Sequence, residues 1–130
     1  MSKVSKYRTP LKNVRGLGAA KTGTEHFVNQ RLTATALVVL GIWFVVFVLN
    51  LLGSDYATAA HAVSRPWNAV LLVGFLVAMF WHAQLGLQVV LEDYIHNSLL
   101  ALALQTTVKF IAIVGAIASI FAVVRIALGN

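Results

Sequence analysis

His82 stands inside a long apolar run, and eleven residues later that run ends in Glu92, Asp93 and Tyr94. A helix turns about 100° per residue, so positions 82 and 93 point within about 20° of one another, about 16 Å apart along the axis. An imidazole can serve as acid, base or metal ligand. A phenol beside a carboxylate is a hydrogen-bond donor with a proton relay next to it. Acids at the carboxyl end of a helix oppose its dipole, so Glu92 and Asp93 are not there to stabilise that helix. A polar face of this kind in an apolar segment calls for an account of what surrounds it.

The composition supplies the surroundings. The 130 residues are 59% hydrophobic and 11% charged, where a soluble domain carries about 25% charged residues. This is the balance of an integral membrane protein. The absence of cysteine excludes disulfides, thiolate zinc sites and iron–sulfur ligation by this chain. The net charge of +6 is unevenly spread. Lys3, Lys6, Arg8, Lys12, Arg15, Lys21 and Arg31 precede the first apolar run, against the single acid Glu25. That is the cationic flank that stays on the cytoplasmic side of a membrane, rather than a nucleic-acid arm.

Three spans are predicted, at about 32–52, 67–91 and 106–128, giving an all-α integral membrane fold with a cytoplasmic amino terminus and a periplasmic carboxyl terminus. Residues 1–31 form a basic cytoplasmic segment. Its glycines, Gly16, Gly18 and Gly23, lack the lysine of a phosphate loop and the leading strand of a dinucleotide site. Thr22 or Thr24 is expected to cap a helix running through Glu25 and His26 into the membrane. The uncharged stretch 32–52 covers about 31 Å as a helix, the thickness of a bilayer core. Residues 53–66 read as an outer loop and 92–98 as a polar break on the amino-terminal side. Lys109 and Arg125 are expected near the ends of the third span, where long cations reach the interface. Ala112, Gly115, Ala116 and Ser119 make a small-residue face for close packing. A bundle this thin calls for further helices from a partner.

Two readings compete for His82. It makes a hydrogen bond between helices, or it ligates a metal, since an ionisable group inside a bilayer is costly and marks function and imidazole is a common haem ligand. Gly86 and Ala78, one turn to either side, are expected to leave room for a flat macrocycle. At the membrane edge, Tyr94 is suited to donate to a carbonyl of a lipid quinone, with Asp93 orienting it or relaying protons. The alternative for that pair is a polar helix end with an aromatic-belt tyrosine.

At these residues the chain resembles a known family. His82-x3-Gly86, followed by Gln88-Val89-x3-Asp93-Tyr94, is similar to the signature of the small hydrophobic membrane anchor of succinate dehydrogenase, the succinate:quinone oxidoreductase of respiratory complex II. The approach Gly23-Thr-Glu-His-Phe-x3-Arg31-x-Thr-Ala supports it. The resemblance implies that His82 is an axial ligand of haem b, the other coming from a cytochrome b556-type companion anchor. It implies that Arg31 lies near the haem propionates, and that Tyr94 hydrogen-bonds ubiquinone with Asp93 beside it. A flavoprotein subunit and an iron–sulfur subunit carry the succinate chemistry, so this chain is not an enzyme on its own. His96-Asn97-Ser98 stands where some members have Lys-Pro, and the basic start is longer than in the shortest members.

The compact basic start favours the bacterial inner membrane over the mitochondrial one. His61 is expected to be solvated, and His26 and His96 are read as surface histidines in preference to a proton path. The rival from another class is a cofactor-free structural or assembly subunit. A transporter subunit is disfavoured because every acid lies outside the predicted spans.

Overall fold

The computed structural model describes residues 23–129, and within them the chain is helical. Helix α1 (Gly23–Asn50) is followed by a short α2 (Tyr56–Ser64), then α3 (Pro66–Tyr94) and α4 (Ser98–Ala127). Three of these, α1, α3 and α4, are long and apolar enough to cross a membrane. The basic residues 1–22 lie outside the described residues, as does Thr22, a proposed cap. Thr24 lies inside α1, so it is not the residue before the helix.

Each connection has a local cause. Gly53 adopts a left-handed φ of 80°, a conformation open to glycine at little cost, and turns the chain away from α1. Asp55 then caps α2 by accepting from the Thr58 amide at 3.0 Å. The Thr58 hydroxyl, and then its amide, hold the Asp55 carboxyl below its ordinary 3.8. Residues 53–66, expected as an outer loop, are therefore largely helix. Arg65 stays extended ahead of Pro66, the first residue of α3, where the missing N–H of proline is not needed. Asn68 Nδ2 donates to the Ala62 carbonyl at 2.8 Å and ties α3 back to α2.

The other end differs more from expectation. The polar break is only Ile95 to Asn97. Asn97 Oδ1 accepts from the amides of Leu99 and Leu100 and starts α4 at Ser98. The third span therefore belongs to one helix with Leu99–Leu104, and Lys109 stands eleven residues into that helix, about 16 Å from Ser98. Arg125 does lie in the last turn.

The packing is a layer with α3 in the middle. α3 contacts α1 and α4, whereas α1 and α4 do not contact one another. Phe44 stacks on Phe75 at 4.4 Å between α1 and α3, and Thr33 pairs with His82. Higher numbers on one helix meet lower numbers on the other, so the two run antiparallel. The same holds for α3 and α4, through Phe80 with Gly115 and Glu92 with Gln105. The predicted small-residue face is real: Gly115 receives the Phe80 ring so closely that a Cβ there would stand 2.7 Å from Cε1. Among the described residues buried apolar side chains are few, namely Leu72, Ala78 and Leu85, all on α3.

Candidate functional site

α3 carries His82 at mid-helix because the surrounding run is apolar throughout and unbroken by proline after Pro66. The imidazole turns toward α1. Its Nδ1 lies 3.0 Å from Thr33 Oγ1, and Thr33 is the one buried polar residue among those described, at 5% exposure. The same hydroxyl donates to the Asn29 and Gln30 carbonyls at 2.9 and 3.1 Å. The interhelical hydrogen bond considered for His82 therefore exists, and it engages only one of the two ring nitrogens.

Of the two small neighbours expected to leave room, one does. Nothing lies within 4 Å of where a Gly86 Cβ would stand, so the backbone one turn beyond His82 is open. Ala78 is a correction: it is buried, and packing within the chain takes up the space beside it. Among the described residues no three His, Asp or Glu side chains converge on a metal site. An iron held at His82 must therefore draw its remaining ligands from a macrocycle and another chain. A half-buried imidazole with one nitrogen engaged, beside an open glycine, fits that requirement.

Arg31 lies on α1 two residues before Thr33, which turns it about 160° away from the Thr33 direction. It is exposed, with its guanidinium 4.8 Å above the Phe27 ring. The structure does not bring Arg31 and His82 to one side of α1.

Asp93 and Tyr94 end α3 as expected, and both are exposed, Tyr94 at 76%. Between them and His82 runs a feature the residue types did not single out. Gln84 Nε2 donates to Gln88 Oε1 at 3.4 Å, and Gln88 Nε2 donates to Glu92 Oε1 at 2.9 Å. Gln105 of α4 donates to the same oxygen at 3.4 Å. These residues are spaced four apart on α3, the distance at which helix side chains meet. The spacing was visible in the sequence, but glutamines at a membrane edge attract no notice by type.

Gln88 and Glu92 also line a polar cavity of about 500 Å³ with Glu25, His26, Asn29, Leu85 and Lys109. All three long helices contribute to it. His26, expected at the surface, is half-buried, and its Nε2 is buried without a hydrogen-bond partner. His61 and His96 are exposed as expected. Lys109 reaches this cavity and also lines an apolar groove of about 330 Å³ between α3 and α4, with Phe80, Trp81 and Gln84.

The family of succinate dehydrogenase/fumarate reductase transmembrane subunits matches residues 5–124. The succinate dehydrogenase hydrophobic membrane anchor subunit of Rickettsia bellii is 35% identical, over 90% of this chain and 94% of its own length. That of Paracoccus denitrificans is 30% identical over 95% of each chain, and that of Rickettsia conorii 30% over 89% and 93%. No solved structure matches. With three membrane-length helices and a match along nearly its whole length, the chain belongs to the family of succinate dehydrogenase/fumarate reductase transmembrane subunits.

Proposed function

We propose that this chain is the hydrophobic membrane anchor of a succinate:quinone oxidoreductase in a bacterial inner membrane. Its amino terminus is cytoplasmic and its carboxyl terminus periplasmic. It docks a flavoprotein and an iron–sulfur subunit, shares haem b with a cytochrome b556-type companion anchor, and forms part of the ubiquinone site. The observation that carries this reading is the placement on α3. An imidazole sits at mid-helix with one nitrogen engaged, and Asp93 and Tyr94 stand exposed at its end, in a chain whose full-length relatives are anchor subunits by name.

Haem b, when bound, supplies a one-electron carrier within the membrane. This chain's part would be to hold the iron through the ring nitrogen of His82 that Thr33 leaves free; Arg31, which the resemblance sets near a propionate, stands turned away from His82 on α1. Tyr94 donates its phenol proton in a hydrogen bond to a ubiquinone carbonyl, and Asp93 orients that phenol or passes it protons. Because both residues are exposed, the remaining walls of the quinone pocket come from other subunits. The chain itself carries no succinate chemistry.

A second reading, a cofactor-free structural subunit, has one observation in its favour: the Thr33 bond alone gives His82 a packing role. A reduced-minus-oxidised spectrum of the whole complex separates the two. His82→Ala is expected to lose the b-type signal while the subunits still purify together. A full b-type signal in that variant rejects His82 as an essential ligand.

A further inference from the structure

We propose that Thr33 is a positioning residue for His82, fixing the tautomer in which Nδ1 carries the proton and Nε2 keeps its lone pair for iron. The inference rests on the haem reading above. A hydroxyl has one proton and two lone pairs. Inside a helix, threonine commonly gives that proton to a carbonyl three or four residues back. Thr33 has both such acceptors in reach, Asn29 at 2.9 Å and Gln30 at 3.1 Å. With its proton directed along α1, the oxygen shows only lone pairs to His82, 3.0 Å away. Nδ1 must then be the donor, and a neutral imidazole that is protonated on Nδ1 is bare on Nε2. Burial of Thr33 keeps water from substituting for it.

The bond spans two helices 49 positions apart in sequence, so it sets the plane of the ring as well as its tautomer. Partners of this kind raise the basicity of a ligating histidine, and losing them typically costs 10–100-fold in metal affinity.

The test uses the assembled complex, depleted of haem and titrated with haem b. Thr33→Val removes the acceptor at nearly constant volume, Thr33→Ala removes it without added bulk, and Thr33→Ser restores it. Val and Ala are expected to weaken haem binding about 10–100-fold. They are also expected to raise the midpoint potential of the haem that does bind, because a less basic imidazole stabilises the oxidised iron less. Ser should return both properties to the parent values. Parent affinity and potential in either Val or Ala, with His82→Ala haem-free, would overturn the role of Thr33 and leave the haem reading standing. A parent complex that takes up no haem b overturns both. Should Val fail to assemble, Ala and Ser decide the matter alone.

Discussion

At the scale of single residues, His82, Asp93 and Tyr94 were legible because each is chemically conspicuous in its setting. A histidine inside an apolar run is costly, and an Asp-Tyr pair at the end of one breaks the pattern. Thr33 was not legible in that way. A threonine in a helix is unremarkable until the fold shows that its oxygen meets an imidazole from another helix. The half-burial of His26 is hidden from the sequence for the same reason, since it faces a cavity that residues of α3 and α4 also line. The exposed phenol of Tyr94 leads to a sharp expectation. It contacts little within this chain, so Tyr94→Phe should leave helix packing and assembly unaltered. A hydrogen bond that strengthens as charge builds on a quinone oxygen contributes about 1.5–3 kcal/mol. Removing it should therefore lower succinate:ubiquinone turnover by roughly 10–100-fold. Succinate oxidation by an artificial acceptor that bypasses the quinone should be unchanged. Full ubiquinone turnover in Tyr94→Phe would exclude the phenol from the site.

At the scale of elements, the three spans followed from length and apolarity alone, while two boundaries did not. Gln105, Thr106 and Thr107 look like the edge of a span. In the fold Thr106 and Thr107 donate to the Leu102 and Ala103 carbonyls at 2.8 Å each, and Gln105 reaches Glu92. Their polar groups are satisfied, so α4 passes through them, and Lys109 falls deep within the helix. The short α2 was missed because its apolar pattern is too brief to register, although Asp55 is a capping residue in plain view. The small-residue face of α4 was foreseen, but not which side chain fills it. That detail carries a prediction. Gly115→Ala forces a methyl against the flat edge of Phe80, and overpacking of this kind costs about 1–3 kcal/mol. The complex should lose thermal stability accordingly. Phe80→Leu in the same chain should recover much of the loss, with the coupling read from a double-mutant cycle. Additive effects of the two changes would mean that α3 and α4 do not meet at this point.

At the scale of the whole molecule, the layer order explains why this chain is incomplete by itself. α3 is covered on two sides, whereas α1 packs on α3 alone and α4 on α3 and the short α2. Side chains such as Val38, Ile42, Phe110 and Ile117 point away from the layer. In a bilayer such faces can rest against lipid, because the hydrophobic effect does not drive helices together there. What lipid cannot satisfy is the polar cavity holding Glu25, His26, Glu92 and Lys109, or the exposed Asp93 and Tyr94. Charged groups at the edge of a bilayer need water or another polar surface to meet them. The polar end of the layer, rather than its apolar flanks, should therefore decide whether the chain survives without partners. In cells lacking the companion anchor and the iron–sulfur subunit, the steady-state amount of this chain should fall several-fold through proteolysis, as read by immunoblotting of washed membranes. Replacing Glu92 with Gln and Lys109 with Met, which removes two of those charges, should partly restore the orphan chain. If the orphan chain accumulates to the level found in the full complex, the three-helix layer is self-sufficient. If the doubly neutralised chain is degraded as fast as the parent, the instability lies in the apolar faces instead.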